Sequence, residues 1–189
     1  MTLREKYKDM HYMVDHVLID EETLKKRVKE LGEELSRDYA DKDDVIMVCI
    51  LKGAVVFYAD LCRATNIFMK MDFMAISSYG DAQKTSGIVR IAKDMDSSIT
   101  GKHVIIVEDI MDSGLTLSHL IRLLWERQPA SIKTCCLRAT PSRRECEITP
   151  DYCGFTIPNE FVVGYGLDYN QEMRNLPYIG VLKPEVYAE

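Results

Sequence analysis

The sequence contains few of the features that mark fibrous, disordered or membrane-spanning chains. Glycine and proline number only 10 and 6 in 189 residues, which excludes collagen-like and low-complexity chains. There is no early apolar h-region and no apolar run near 18 residues, so we expect neither a signal peptide nor a membrane span, and a cytoplasmic location. The remaining composition, 47% apolar and 29% charged, is typical of one folded domain over residues 1–189.

Basic residues are outnumbered by acidic ones. The formal net charge is −6 at pH 7, whereas a nonspecific nucleic-acid-binding surface needs clustered lysine and arginine. We therefore expect no nucleic-acid partner. An anionic ligand would need local cations or a metal ion.

The cysteines and histidines lack the spacing of a metal site. No pair of the six cysteines forms a CxxC, and the four histidines are scattered. Cys49 and Cys62 lie in apolar segments, and Cys135 and Cys136 are adjacent in a strand-like run. The even count leaves disulfides as an alternative, but we interpret these residues as buried thiols of a cytosolic protein.

Hydrophobic periodicity predicts alternating strands and helices. An amphipathic helix follows Asp20, a possible cap, and its apolar residues share one face: Leu24, Val28, Leu31, Leu35 and Tyr39. Short apolar runs at 45–51, 104–107 and 131–139 predict strands, and helical patterns follow the first two. Strands alternating with helices indicate βαβ units, so the expected fold is α/β with a doubly wound, mostly parallel sheet.

Two stretches have weaker patterns. The polar segment after Ser77 shows little periodicity until IVRIAKD, which predicts a long mobile loop followed by an edge hairpin. The tail over 152–181 contains short strand-like runs without a clear helix.

The stretch VIIVEDIMDSGLT, residues 104–116, joins an apolar strand to a cluster of acids. In parallel sheets ligands bind beyond the carboxyl ends of strands, and acids there cost stability unless a cation joins them. Glu108, Asp109 and Asp112 suit a hard divalent cation, and the short residues that follow suit a phosphate at a helix N-terminus. The alternative is a set of solvated acids on a surface loop. No GK[ST] follows, so this is not a Walker A loop.

This stretch resembles the ribose-phosphate signature of type I phosphoribosyltransferases. ILKGAVVFYADL, SSYG, PSRRE and PNEFVVGYGLDYNQEMRNLPYIGVL are similar to the hypoxanthine-guanine branch, in order, over roughly residues 45–182. The resemblance implies the type I phosphoribosyltransferase fold, with a small hood from parts of the N-terminal segment and about 152–189. It also implies Mg²⁺-dependent transfer of a 5-phosphoribosyl group from phosphoribosyl pyrophosphate (PRPP) to a 6-oxopurine, in a homodimer or homotetramer.

The resemblance implies a role for each residue of the acid cluster. Glu108 and Asp109 would lie under the ribose and close to Mg²⁺, often through water. Asp112 would accept the purine N7 proton. The 5′-phosphate would be held by the loop from Asp112 onward, that is by Ser113, Gly114, Leu115 and Thr116.

Other implied roles surround the pyrophosphate and the base. Lys52 and Gly53 would contact pyrophosphate, Asp168 would bind a second Mg²⁺, and Arg174 would hold the leaving group. The alternatives are a solvated lysine and a surface ion pair. The purine would be held by Phe161, which would stack on it, and by the Val162 backbone, and Ser78 and Tyr79 would begin a lid over the reacting centre.

One position departs from the family pattern. Relatives usually have a lysine immediately before PSRRE that bonds the purine 6-oxo group, whereas an ungapped match places Thr140 there. Arg138 is the nearby residue that could reach the same atom. Two other functions stay open: a nucleotide-sensing regulatory protein on the same fold, and an enzyme for another base such as xanthine or a pyrimidine.

Overall fold

The protein is described from a computed structural model, which covers residues 3–78 and 89–188. Its strands are β1 Val14–Ile19, β2 Val45–Leu51, β3 Met69–Ser78, β4 Val89–Lys93, β5 His103–Met111, β6 Ser131–Ala139, β7 Tyr152–Thr156, β8 Val162–Val163 and β9 Ile179–Leu182. Its α-helices are α1 Leu3–Tyr7, α2 Glu21–Asp38, α3 Val55–Ala64, α4 Leu115–Trp125 and α5 Pro184–Tyr187. Two 3₁₀ turns, Met10–Met13 and Pro141–Arg143, complete the regular structure of the described residues.

The strands form two sheets. The larger has the order β4-β3-β2-β5-β6-β7, parallel throughout except for β4, which runs antiparallel to β3 at the edge. The smaller is antiparallel, in the order β1-β9-β8. The predicted α/β fold with a mostly parallel sheet is confirmed. Tyr152–Thr156 lies in the larger sheet, next to β6, and not in the smaller one.

Helices cover both faces of the larger sheet. Asp20 caps α2 by accepting a hydrogen bond from the Thr23 backbone N–H at 2.7 Å, as its position before the helix predicts. The apolar face of α2 is buried with α3 on one side of the sheet, while α4 packs on the other side. Among the described residues, no helix has both the length and the apolar character needed to cross a membrane.

The cysteines are free thiols, as the sequence predicts. All six lie in the described residues, and none is paired in a disulfide. Cys49, Cys135 and Cys136 are fully buried in the core on the two faces of the sheet. Burial raises the pKa of the Cys49 thiol to about 12, because the apolar core disfavours the thiolate.

Strand β5 extends beyond the end that its apolar run predicts. It continues through Glu108 and Asp109 to Met111, because β6 runs beside it as far as Ala139 and supplies backbone partners. On its other side, β5 pairs with β2 only as far as Cys49 and Val107. The two strands then separate, and a crevice opens where the connections reverse direction across the sheet, which is where open α/β sheets bind ligands.

Candidate active site

The crevice between β2 and β5 is a cleft of about 360 Å³. It collects residues from segments as far apart in the chain as Ile50 and Arg174. Its walls include most of the residues that the sequence singles out: Gly53, Glu108, Asp109, Asp112, Ser113, Gly114, Thr116, Asp168 and Arg174.

The other predicted site residues lie outside this wall. Lys52 is near the cleft rim, with its Nζ donating to Gln171 Oε1 at 3.3 Å. Ser78 is the last residue of β3, and Tyr79 and the predicted lid lie outside the described residues. The structure does not place the following in the wall of the cleft: Leu115, Thr140, Phe161 and Val162.

Glu108 and Asp109 put two carboxylates on consecutive residues at the floor of the cleft. The Asp109 N–H donates to Glu108 Oε1 at 3.2 Å, and Asp109 Oδ1 accepts from the Ile110 N–H at 2.9 Å. Burial, with the neighbouring charge of Asp109, raises the pKa of Glu108 well above its ordinary value. A cation in this cleft would offset that cost by stabilising the ionised forms of Glu108 and Asp109.

Gly53 brings the backbone of the β2–α3 turn against the second of these acids. The turn begins at Leu51–Lys52, where the peptide bond is cis. A Cβ atom on Gly53 would overlap the carboxylate Oδ2 of Asp109. Only glycine therefore allows the turn and the acid to share this side of the cleft.

The loop before α4 has the geometry of an anion cradle. Gly114 precedes the helix with φ +82°, a left-handed conformation that favours glycine. A side chain there would also collide with Cys146 Sγ at 2.7 Å and Ile148 Cγ2 at 2.9 Å. Ser113 Oγ accepts from the Leu115 N–H at 3.3 Å, and Ser113, Gly114 and Thr116 line the cleft, so the N-terminus of α4 borders it.

Asp112 is held by a residue that sequence reasoning did not single out. Arg143 Nε lies 3.1 Å from Asp112 Oδ2. The other carboxylate oxygen, Oδ1, is buried without a hydrogen-bond partner among the described residues. The only signal in the sequence was the position of Arg143 inside PSRRE.

A second ion pair, between Arg174 and Asp168, lies in the cleft wall. Arg174 Nη2 lies 2.7 Å from Asp168 Oδ1, and Arg174 Nη1 donates to the Gly166 carbonyl at 2.7 Å. Gln171, which sequence reasoning missed, accepts from both Lys52 Nζ and Arg174 Nη2. A single amide oxygen therefore connects the two cations that the sequence assigns to pyrophosphate.

Comparison with protein families identifies this arrangement. The family model described as "Phosphoribosyl transferase domain" matches residues 18–170, which include β2, the acid cluster, the loop before α4 and Asp168. The chain belongs to the phosphoribosyltransferase family.

Individual relatives give the same result. The chain is 50% identical over 178 residues to the hypoxanthine-guanine phosphoribosyltransferase of Bacillus subtilis, covering 94% of this chain and 98% of that protein. The crystal structure of a hypoxanthine phosphoribosyltransferase from Staphylococcus aureus matches with TM-score 0.92 and 44% identity, over 95% of this chain and 97% of that one. These relatives do not support the alternative of a nucleotide-sensing regulatory protein.

Some relatives are much longer. The chain is 48% identical over 180 residues to the bifunctional protein TilS/HprT of Listeria monocytogenes (serotype 4b, strain F2365), covering 95% of this chain but 28% of that protein. The chain thus spans about a quarter of the length of these bifunctional relatives. The similarity concerns their phosphoribosyltransferase-like part.

In this member of the phosphoribosyltransferase family, Phe161 is packed against other aromatic rings. Tyr187 stacks on it with ring centroids 5.0 Å apart and planes 18° apart, and Tyr169 meets it edge-on at 5.8 Å. Phe161 remains 41% exposed. Val162 is buried in β8, where it pairs with Val181 of β9. The smaller sheet therefore fixes the backbone beside the exposed ring.

The departure at Thr140 concerns a buried position. Thr140 is 2% exposed, and its backbone N–H donates to the Met111 carbonyl at 3.2 Å. Arg138, two residues earlier, is 9% exposed. Both residues stand at the carboxyl end of β6, beside the strand that holds the acid cluster.

Proposed function

We propose that the chain transfers a 5-phosphoribosyl group from PRPP to N9 of a 6-oxopurine, giving a nucleoside 5′-monophosphate and pyrophosphate. The observation that supports this most directly is the convergence of two features in one cleft. Three carboxylates, Glu108, Asp109 and Asp112, lie beside the phosphate-type loop at the α4 N-terminus. Family membership and the named relatives support the same reaction.

Phosphate groups would bind at two places. The loop over residues 112–116 presents backbone donors and hydroxyl groups at a helix N-terminus, which suits the 5′-phosphate. Gly53 and Arg174 line the same cleft and Lys52 precedes Gly53, and these three residues would contact the pyrophosphate. Arg174 is bonded to Asp168 and Gly166 in the free protein, so it is positioned before the substrate arrives.

Mg²⁺ fits the donor set if the substrate supplies part of its coordination. In residues 3–78 and 89–188, no three acidic, histidine or cysteine side chains converge as a preformed metal site. Mg²⁺ commonly binds to one or two carboxylates and completes its shell with phosphate oxygens and water. Glu108 and Asp109 would hold one ion under the ribose, and Asp168 a second on the pyrophosphate side. The bound ions would neutralise charge that develops on the pyrophosphate.

Asp112 would serve as the proton acceptor. As the C1–O bond to pyrophosphate breaks, N9 forms the new C1–N9 bond and the N7 proton passes to Asp112, while pyrophosphate leaves with the electron pair. The ribose carries positive charge during this exchange. Glu108 and Asp109 beneath it would stabilise that charge because they are fixed in place before the reaction.

Further expectations accompany this proposal. The smaller sheet of β1, β8 and β9 would form the hood that carries Phe161 as the purine platform, with the Val162 backbone at the purine edge. Ser78 and Tyr79 would begin the lid. We also expect a homodimer or homotetramer and a cytoplasmic location. In a longer protein, these expectations would apply to the part that this chain represents.

A panel of bases tests the proposal. The purified chain is incubated with PRPP and Mg²⁺ and with hypoxanthine, guanine, xanthine, adenine or uracil, and pyrophosphate release is measured. We expect release with 6-oxopurines and its loss in excess EDTA. Release with uracil alone would indicate a pyrimidine enzyme. No release with any base, from protein that binds PRPP, would overturn the proposal.

A further inference from the structure

Arg138 is a buried cation for which residues 3–78 and 89–188 supply no ion-pair partner. Its side chain is more than nine-tenths buried, with a relative exposure of 9%. Its Nε is enclosed and has no hydrogen-bond partner within the part of the chain that the structure describes. Among those residues, none forms an ion pair with it within 4.0 Å. A buried N–H that finds no acceptor costs stability, so this position is unfavourable unless something else accepts from Nε.

Arg138 is not in the cleft wall itself, but its side chain lies on the same face of the sheet as a residue that is. Arg138 is in register with Ile110 of the parallel strand β5, and Ile110 lines the cleft. Residues in register on neighbouring strands place their side chains on the same face of the sheet. Asp109 and Asp112 are near enough to favour the charged guanidinium, whereas burial and Arg143 lower the pKa of Arg138.

A donor and an acceptor therefore lie at the carboxyl ends of adjacent strands, Arg138 on β6 and Asp112 directly after β5. Arg138 offers N–H groups, and Asp112 offers a carboxylate whose Oδ1 is also buried without a partner among the described residues. A ligand that satisfies both must present an acceptor and a donor side by side. The O6 and N7–H groups of a 6-oxopurine form such an edge.

We propose that Arg138 donates a hydrogen bond to the 6-oxo group of the purine and thereby selects 6-oxopurines over 6-aminopurines. This inference rests on the proposed function and adds the residue that sets its base preference. Thr140, which stands where the family pattern has a lysine, has only a buried hydroxyl. A 6-amino group would turn its own N–H donors toward the cation and leave both groups unpaired, which is the strongest way for a site to reject an analogue.

The proposal predicts opposite effects on binding and on stability. Arg138→Leu should raise the KM for hypoxanthine at least tenfold and narrow the ratio of kcat/KM between hypoxanthine and adenine by a similar factor. The KM for PRPP should stay within about twofold. The Tm of the free protein should stay the same or rise, because a buried unpaired charge is replaced by an apolar side chain of comparable volume.

Control variants separate a role of Arg138 in base recognition from a role in the structure. Arg122→Leu removes an exposed arginine on α4 and should change neither KM nor base preference. Arg138→Lys keeps a cation and should retain more of the discrimination than Arg138→Leu. In Arg138→Leu with Thr140→Lys, a cation returns two residues further along, and discrimination should recover at least in part.

The affinity for the product nucleotide tests the role of Arg138 without depending on turnover. Calorimetry should show that Arg138→Leu weakens inosine 5′-monophosphate at least tenfold and adenosine 5′-monophosphate much less. Equal weakening of both nucleotides, or unchanged hypoxanthine KM and base ratio in Arg138→Leu, would overturn the inference. A lower Tm together with weaker PRPP binding would assign Arg138 to structure instead. Failure of the proposed function would appear separately, as no pyrophosphate release by the unsubstituted protein.

Discussion

Arg143 and Asp112 form an ion pair at the mouth of the cleft, with Arg143 Nε 3.1 Å from Asp112 Oδ2. The arginine side chain is 55% exposed and the aspartate 31%. The pair occupies the carboxylate that we assign to the purine N7 proton. The pair leaves Oδ1 for the base, and the positive charge beside Oδ2 makes the carboxylate a weaker hydrogen-bond acceptor.

Removing the arginine should make the base bind more tightly. Ion pairs of this exposure contribute about 0–1 kcal/mol, so Arg143→Met should lower the KM for hypoxanthine by up to about fivefold. Steady-state kinetics at saturating PRPP measures this, with Arg122→Met as the matched control. A KM that instead rises tenfold would show that Arg143 contacts the substrate.

Asp112→Asn should slow the chemical step without displacing the substrate. Asparagine keeps the shape of aspartate but is a far weaker base, so kcat should fall by about 10² or more. Affinity for PRPP, measured by calorimetry, should change little. Asp43→Asn, an exposed change far along the chain, should leave both unchanged. Single-turnover rates equal to those of the unsubstituted protein would make Asp112 a structural residue.

Gly53→Ala should impair PRPP use because a Cβ atom would overlap Asp109 Oδ2 and push the acid aside. Misplacement of a catalytic group by about 1 Å can cost about 10²-fold, so we expect kcat/KM for PRPP to fall by about ten- to a hundredfold.

Gly101→Ala supplies the contrast for this prediction. Gly101 has φ +71°, and a Cβ there would meet no atom of the described residues within 4 Å. The Gly101→Ala variant should lose about 1 kcal/mol of stability through backbone strain and keep its activity. Similar activity losses in both variants would show that the effect at position 53 is not specific to Asp109.

Glu108 should make the metal-free protein less stable as the pH rises. Its pKa in the folded state lies well above the ordinary 4.5, because burial and Asp109 disfavour the charged form. Below pH 4.5, Glu108 is protonated in both the folded and the unfolded protein and does not lower the free energy of unfolding. Between pH 4.5 and the pKa of the folded state, Glu108 ionises in the unfolded protein first, so the free energy of unfolding declines as the pH rises. Glu108→Gln in EDTA should therefore raise the Tm at pH 8 and leave it nearly unchanged at pH 4. A Tm shift of equal size at both pH values would contradict this origin, and the exposed change Glu126→Gln should shift neither.

Much of what the sequence predicts depends on interactions between residues that are close together in the chain. Asp20 precedes an amphipathic run and caps α2, and the apolar run at 45–51 forms β2. These outcomes depend on the spacing of apolar residues and on a capping side chain within one turn, so they are visible in a short window of sequence. The acid cluster and the loop after it are also contiguous in the chain, and they lie together in the cleft.

Partners across the fold could not be predicted in the same way. The end of β5 depends on β6, which pairs with it as far as Met111 and Ala139. The contact of Lys52 with Gln171 joins residues 119 positions apart.

By itself, then, the sequence determined the main alternation of strands and helices and the residue types gathered in the acid cluster and the loop after it, because periodicity and motif spacing are local properties of the chain. Only the tertiary structure decided that Arg143 holds Asp112 and that Arg138 is buried on the neighbouring strand, with no partner for its Nε among the described residues. The physical reason is that burial and charge pairing depend on which strands and turns the closed sheet brings together, and separation along the chain does not encode that proximity.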